Sequence, residues 1–193
     1  MNSLRTAAIL FTLLFVITGV AYPAAVLLAA GIAFPFQAHG SLVLAADDQV
    51  AGSLLLGQNS SLPTYFQGRP SATTGMPYNA AGSAGSNLGP TNPALLGDVE
   101  MRVASLRDQG INGPIPSDLV MASGSGLDPH LSLDAALLQV PVVAGARGIS
   151  EDALRERVLS HAVYPLVPFS GAYVNVADLN RELDRWPGGD ENG

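Results

Sequence analysis

The chain has 193 residues, a formal net charge of −7 and no cysteine, and every one of its basic residues is arginine. The missing cysteines exclude disulfides, thiol catalysis, Cys-ligated zinc and a lipoprotein anchor. The missing lysines exclude a phosphate loop of the G-x-x-x-x-G-K-[ST] type and any Schiff base. An acidic chain without a basic patch is also a poor match for nucleic acid or anionic lipid, so the charge either keeps the protein soluble or suits a place where cations are tolerated.

The first element is the tract from Ala7 to Ala30, AAILFTLLFVITGVAYPAAVLLAA, and no charged residue interrupts the sequence between Arg5 and Asp47. As a helix it reaches roughly 36 Å, enough to cross a hydrocarbon core of about 30 Å with some tilt. Gly19 and Pro23 lie inside it. A membrane helix tolerates them when neighbouring helices satisfy the freed carbonyl, and small residues allow another helix to approach. A cleaved secretory signal is the alternative reading. Signal h-regions run about 7–15 residues, shorter than this tract, and no clear small-residue cleavage pattern follows it. The expectation is an uncleaved anchor. Arg5 on the short side, with Asp47 and Asp48 leading the far side, predicts a cytoplasmic N-terminus and one crossing.

Beyond the helix, Tyr22 and Phe34-Pro35-Phe36 read as interfacial aromatics, with Pro35 ending the helix. Gln49–Gln58 alternates as a strand. Residues 59–93, rich in Gly, Pro, Ser and Asn, could be a linker. Tyr65, Phe66, Met76 and Tyr78 give the tract apolar anchors, so an ordered functional loop is expected. Asn92-Pro93 opens a helix with a stripe of Leu95, Leu96, Val99, Val103 and Leu106, closed by Gly110. Asp118–Ser123 reads as a short strand and Gly124–His130 as a tight loop. Ser132 caps a helix that Pro141 kinks or ends early. Ser150 caps another, with Glu151 and Asp152 at its positive end. Tyr173–Val176 is a strand, Asp178–Trp186 a last helix, and PGGDENG (187–193) a disordered tail.

Ser123, Ser125, Asp128 and His130 crowd into one short stretch. A serine hydrolase would use a Ser as nucleophile and His130 as base, but triad members usually come from distant segments and no G-x-S-x-G elbow is present. Asp128 fits a turn or capping role better, its carboxylate accepting backbone N–H bonds. His39, His130 and His161 lack metal-ligand spacing. Arg69, between Gly68 and Pro70, either docks a partner carboxylate or pins the loop to its own domain.

Five stretches carry a resemblance: GSLLLGQ (52–58), YFQGRPSA (65–72), SNLGPTNP (86–93), DLVMASGSGLDPHLS (118–132) and VNVADLNRELD (174–184). Together they resemble the C subunit of the bacterial potassium-transporting Kdp ATPase, over nearly the whole chain. The resemblance implies a non-catalytic accessory subunit of an ATP-driven potassium uptake pump in the inner membrane. Its implied partners are a channel-like potassium-binding subunit, a P-type ATPase catalytic subunit and a small single-helix subunit. ATP, Mg and K⁺ would belong to the complex, and the chain would have no cofactor of its own. A catalytic-chaperone role, raising the ATP affinity of the catalytic subunit, is also implied. Only about six residues face the cytoplasm in this topology, so a coupling effect through the helix is physically easier than direct ATP contact.

The expected architecture is α+β: a cytoplasmic N-terminus (1–6), a transmembrane helix (7–30), a mixed α/β extracytoplasmic domain (31–186) and the tail. The residues singled out as partner contacts or structural motif positions are Gly19, Pro23, Arg69, Asn87, Asn92, Ser123, Ser125, Asp128 and His130, with no catalytic or metal residue among them. The competing classes are a membrane-anchored binding or sensor domain and a serine hydrolase.

Overall fold

A computed structural model describes residues 2–44, 49–60, 63–166 and 171–186. The tail reading lies outside these residues. The chain divides into two compact units, Met1–Ser53 and Leu54–Gly193. It mixes helix and strand, with one N-terminal helical run long and apolar enough to span a membrane, Ser3–Ala33.

The first unit opens with α1 (Asn2–Phe15), a π-helical segment (Val16–Ala21) and α2 (Tyr22–Ala33) in direct succession. The π segment answers Pro23, which has no N–H to offer. Just before it the ladder widens, and the Tyr22 N–H bonds to the Ile17 carbonyl. The chain thus accommodates the proline by its own widening, where the sequence pointed to help from a neighbouring helix. Thr12 and Thr18 turn their hydroxyls back onto the carbonyls of Ala8 and Leu14, at 2.9 and 2.7 Å. That hides two polar groups from an apolar surround. Tyr22 lies inside the helix, well short of its end. Phe34 leaves helical geometry before Pro35, as residues preceding proline do, and a short helix α3 (Pro35–Ala38) follows. Strands β1 (Leu42–Leu44) and β2 (Val50–Ser53) pair antiparallel with an irregularity after Val43. The strand expected over Gln49–Gln58 therefore stops at Ser53, and the chain turns there.

Among the described residues, the second unit is built on four α-helices and one two-stranded sheet. Helix α4 (Pro93–Asp108) starts where Asn92 accepts a bond from the Ala94 N–H. Of its expected stripe, Leu106 is buried, but Leu96 is exposed. Asp118–Ser123 is not a strand. Pro116 directs the chain into a 3-10 turn, Ser117–Leu119, whose Ser117 carbonyl accepts from Val120 and Met121. The strand comes later, as β3 (His130–Ser132), antiparallel to β4 (Tyr173–Asn175) with Leu131 opposite Val174. Ser132 caps α5 (Leu133–Arg147), and α5 runs through Pro141 to a left-handed Gly148. Ser150 caps α6 (Glu151–Ser160). Asn175 caps α7 (Val176–Arg185). The core joins Phe66, Leu106, Leu131, Val140, Leu154, Val158, Val174, Leu179 and Leu183. Phe66 is the member that comes from the long loop, which is therefore part of the core and not a linker.

Candidate functional site

Two buried amides hold the start of the long loop. Gln139 lies on the inner face of α5 and is 2 % exposed. Its Oε1 accepts from the Gln67 N–H at 2.8 Å, and its Nε2 donates to the Gln67 carbonyl at 3.1 Å. Asn180 on α7 does the same for the preceding residue, accepting from the Phe66 N–H at 2.8 Å and donating to its carbonyl at 2.9 Å. Each side chain thus takes the place of a neighbouring strand, so the loop backbone can be buried without orphaned polar groups. Arg147, in the last turn of α5, closes the same end. It donates to the Thr64 and Leu183 carbonyls and to Asp184, and its guanidinium lies 4.7 Å from the Tyr65 ring centre. Tyr65 in turn donates to Asp184 Oδ1. That bond to a carboxylate, more than burial, raises the Tyr65 pKa.

Further along, the loop folds back on itself around two hydroxyls. Ser71 Oγ donates to the Gly126 carbonyl at 2.7 Å and accepts from the Tyr78 N–H at 2.9 Å. Thr73 Oγ1 donates to the Met76 carbonyl and accepts from the Asn79 N–H. The segment Ser123–Asp128 packs against this turn. The Ser123 N–H bonds to the Pro70 carbonyl, the Ala84 N–H to the Ser125 carbonyl, and the Gly57 N–H to the Leu127 carbonyl. Gly126 has φ +67°, and a Cβ there would sit 2.6 Å from both the Ala84 carbonyl oxygen and Thr73 Cγ2. Only glycine supplies both that backbone region and that clearance.

Arg69 forms an ion pair with Asp128 at 3.1 Å, both side chains 29 % exposed. It pins the loop to its own domain, one of the two roles the sequence left open. Asp128 Oδ1 accepts from the His130 N–H at 3.0 Å. That is the turn-stabilising bond expected of an Asp two residues before. The His130 ring sits 3.4 Å from the same carboxylate through Nδ1 and edge-on to Tyr173, centroids 4.9 Å apart. Tyr78, whose hydroxyl donates to the Arg69 carbonyl, has its pKa raised above 10.0 by burial and, less, by the Asp128 charge.

The arrangement has no nucleophile–base pair. Ser123 is 2 % exposed. Ser125 Oγ accepts from the Leu127 N–H. Among the described residues no serine hydroxyl is bonded to His130, and no group of three His, Asp or Glu could hold a metal ion. Arg69, Asp128 and His130 do come together, with Asp118 and Tyr173, around a cavity of about 360 Å³. Asn92 stands apart as the cap of α4. Asn87 takes a left-handed backbone φ of 51°. Gly19 belongs to the π segment and Pro23 to the first turn of α2. Gln139, Asn180, Arg147 and Ser71 escaped the sequence reading. The signal for two of them was there: Gln139 directly precedes Val140, and Asn180 directly follows Leu179, each a polar residue inside an apolar helix stripe.

The geometry defines a protein with a helix long and apolar enough to span a membrane, followed by a domain whose polar side chains hold a long loop. Residues 4–185 match the family described as K+-transporting ATPase, c chain. The chain is 52 % identical over 182 residues to the potassium-transporting ATPase KdpC subunit of Methanosphaerula palustris, covering 94 % of this chain and 96 % of that one. It is 50 % identical to the subunit of the same name from Polaromonas naphthalenivorans, over 95 % of this chain and 94 % of the relative. For that of Geobacter sulfurreducens the identity is 48 %, over 95 % and 98 %. The chain belongs to this family, and membership joined to the apolar helix supports a membrane location.

Proposed function

We propose that this chain is a non-catalytic accessory subunit of an ATP-driven potassium uptake pump, which it stabilises and whose catalytic subunit it helps to use ATP. It is not an enzyme by itself. It crosses the inner membrane once, N-terminus in the cytoplasm, and carries its domain outside. Its partners are the channel-like potassium-binding subunit, the P-type catalytic subunit and a small single-helix subunit. ATP, Mg and K⁺ are bound by the complex, and the chain adds no cofactor.

The observation that carries this reading is the family match along nearly the whole chain, which includes an apolar helix with no buried residue. Such a surface needs lipid or other helices around it. ATP stays on the cytoplasmic side, so assistance to the catalytic subunit runs through the helix, by favouring one conformation of the assembly over another. Purifying the pump with and without this chain tests the proposal. Loss of assembly, or a weaker apparent affinity for ATP, supports it. An intact pump with unchanged ATP dependence overturns it.

A further inference from the structure

Helix α4 gives way to a turn that carries the step Asn112-Gly113. The chain has one other Asn-Gly step, Asn192-Gly193, at its last two residues. Such a step is chemically special because glycine has no Cβ. Nothing then shields the glycine backbone nitrogen from the amide carbon of the asparagine side chain. A bond between those two atoms closes a five-membered ring, which is free of strain.

The structure leaves the step at Asn112 open. Ile111 is 2 % exposed and anchors one side of the turn, whereas Asn112, Gly113 and Pro114 are all exposed. Arg107 donates to the Ile111 carbonyl at 2.8 Å and to the Gly113 carbonyl at 2.6 Å. Between those two bonds, the Gly113 N–H has no hydrogen-bond partner among the described residues. The attacking nitrogen is therefore not engaged in the turn's own bonding. Asn112 Nδ2 donates to the Gly110 carbonyl at 3.0 Å, an exposed bond that water can replace. Arg107 pairs with no carboxylate among the described residues, and its two carbonyl bonds place its positive charge beside the Asn112–Gly113 peptide.

We propose that Asn112-Gly113 is a site of enzyme-free deamidation in the folded chain, with water as the co-reactant. The Gly113 nitrogen gives up its proton, and its electron pair forms a bond to Asn112 Cγ. The Cγ–Nδ2 bond breaks, and Nδ2 leaves with the proton as ammonia. Water then opens the cyclic imide. Cleavage of the bond to Cγ yields aspartate, and cleavage of the bond to the main-chain carbonyl carbon yields isoaspartate, whose backbone runs through Cγ. Either route leaves one carboxylate and changes no oxidation state. The formal net charge moves from −7 to −8. A carboxylate cannot donate to the Gly110 carbonyl as the amide did, so it turns to the Arg107 guanidinium. The site stands independently of the pump reading, because it uses this chain's residues alone.

The test ages the full chain in detergent, in mildly alkaline buffer, and digests samples with trypsin over time. Cleavage after Arg107 and Arg147 releases residues 108–147, in which Asn112 is the sole asparagine, so the signal is separate from that of Asn192. The mass of this peptide should shift from amide to acid, with an isoaspartyl form resolved by chromatography. The folded chain should convert within severalfold of the rate in urea, and faster than Asn59-Ser60 and Asn79-Ala80, which lack the glycine. Gly113→Ala should slow conversion severalfold. Gly113 has φ +102°, where alanine is strained, so Asn112→Gln is the deciding variant and should abolish the shift. A peptide that stays an amide in the folded chain while it converts in urea overturns the proposal. So does a shift in this peptide that persists in Asn112→Gln.

Discussion

The apolar helix and the long loop resolve the same difficulty in opposite ways. Both carry backbone features that regular structure resists: Pro23 in one, and in the other a run of Gly, Pro, Ser and Asn. The helix answers locally, by widening its own ladder over Val16–Ala21, and leaves its side chains exposed to whatever surrounds it. The loop answers at a distance, through Gln139, Asn180 and Ser71, and ends with Phe66 fully buried. Stability of the second unit is therefore internal to it, whereas the helix depends on its surroundings.

The strongest way to break this contrast is Asn180→Ala. It leaves the Phe66 N–H and carbonyl buried without partners, at about 1–3 kcal/mol for each group. Urea unfolding of the full chain should show a loss of several kcal/mol, and protease should open the loop first. A loss under 1 kcal/mol would mean that the loop is held elsewhere. Next comes Gly126→Ala, which combines a left-handed backbone with a blocked Cβ and should cost about 1–3 kcal/mol. Its signature is faster cleavage between residues 70 and 85 while the helices stay protected.

Asp128→Asn is gentler. The pair with Arg69 is partly exposed, so solvent screening limits the loss to about 1 kcal/mol or less, and an Asn still accepts from the His130 N–H. Alkali acts on the same corner through Tyr78. Its folded pKa lies above its ordinary 10.0, so the unfolded chain gives up its proton first. Stability from this group is full below pH 10.0 and is lost as pH rises through the folded value. Tyr78→Phe should flatten that part of the alkaline profile; a profile unchanged by the substitution would show that other groups set it.

The same contrast explains what could be read from the sequence. The helix, the caps at Asn92, Ser132 and Ser150, and the last helix were legible because each depends on neighbours a few residues away. The amide clamps were not, since Gln67 and Gln139 are 72 residues apart and Phe66 and Asn180 are 114 apart. Local pattern also misled. Asp118–Ser123 has strand-like composition, but Pro116 and the Ser117 carbonyl make a 3-10 turn of it. Pro141 suggested an end to α5, yet packing of Val140, Val143 and Ala144 in the core carries the helix past it. At the site, the Asp128 turn was legible from Asp-Pro-His. The Arg69–Asp128 pair was not, because nothing in the sequence brings the loop to that turn.

The central claim is that the helix serves assembly while the domain folds on its own contacts. Gly19→Leu tests it most directly, because a Cβ at Gly19 would meet only its own Phe15 ring, at an ordinary 3.6 Å. The substitution leaves the second unit untouched. With the variant expressed in place of the natural chain, the account predicts an unchanged melting temperature for the domain that follows the helix and a pump that no longer co-purifies with it. A fully assembled pump with normal potassium uptake would contradict the account.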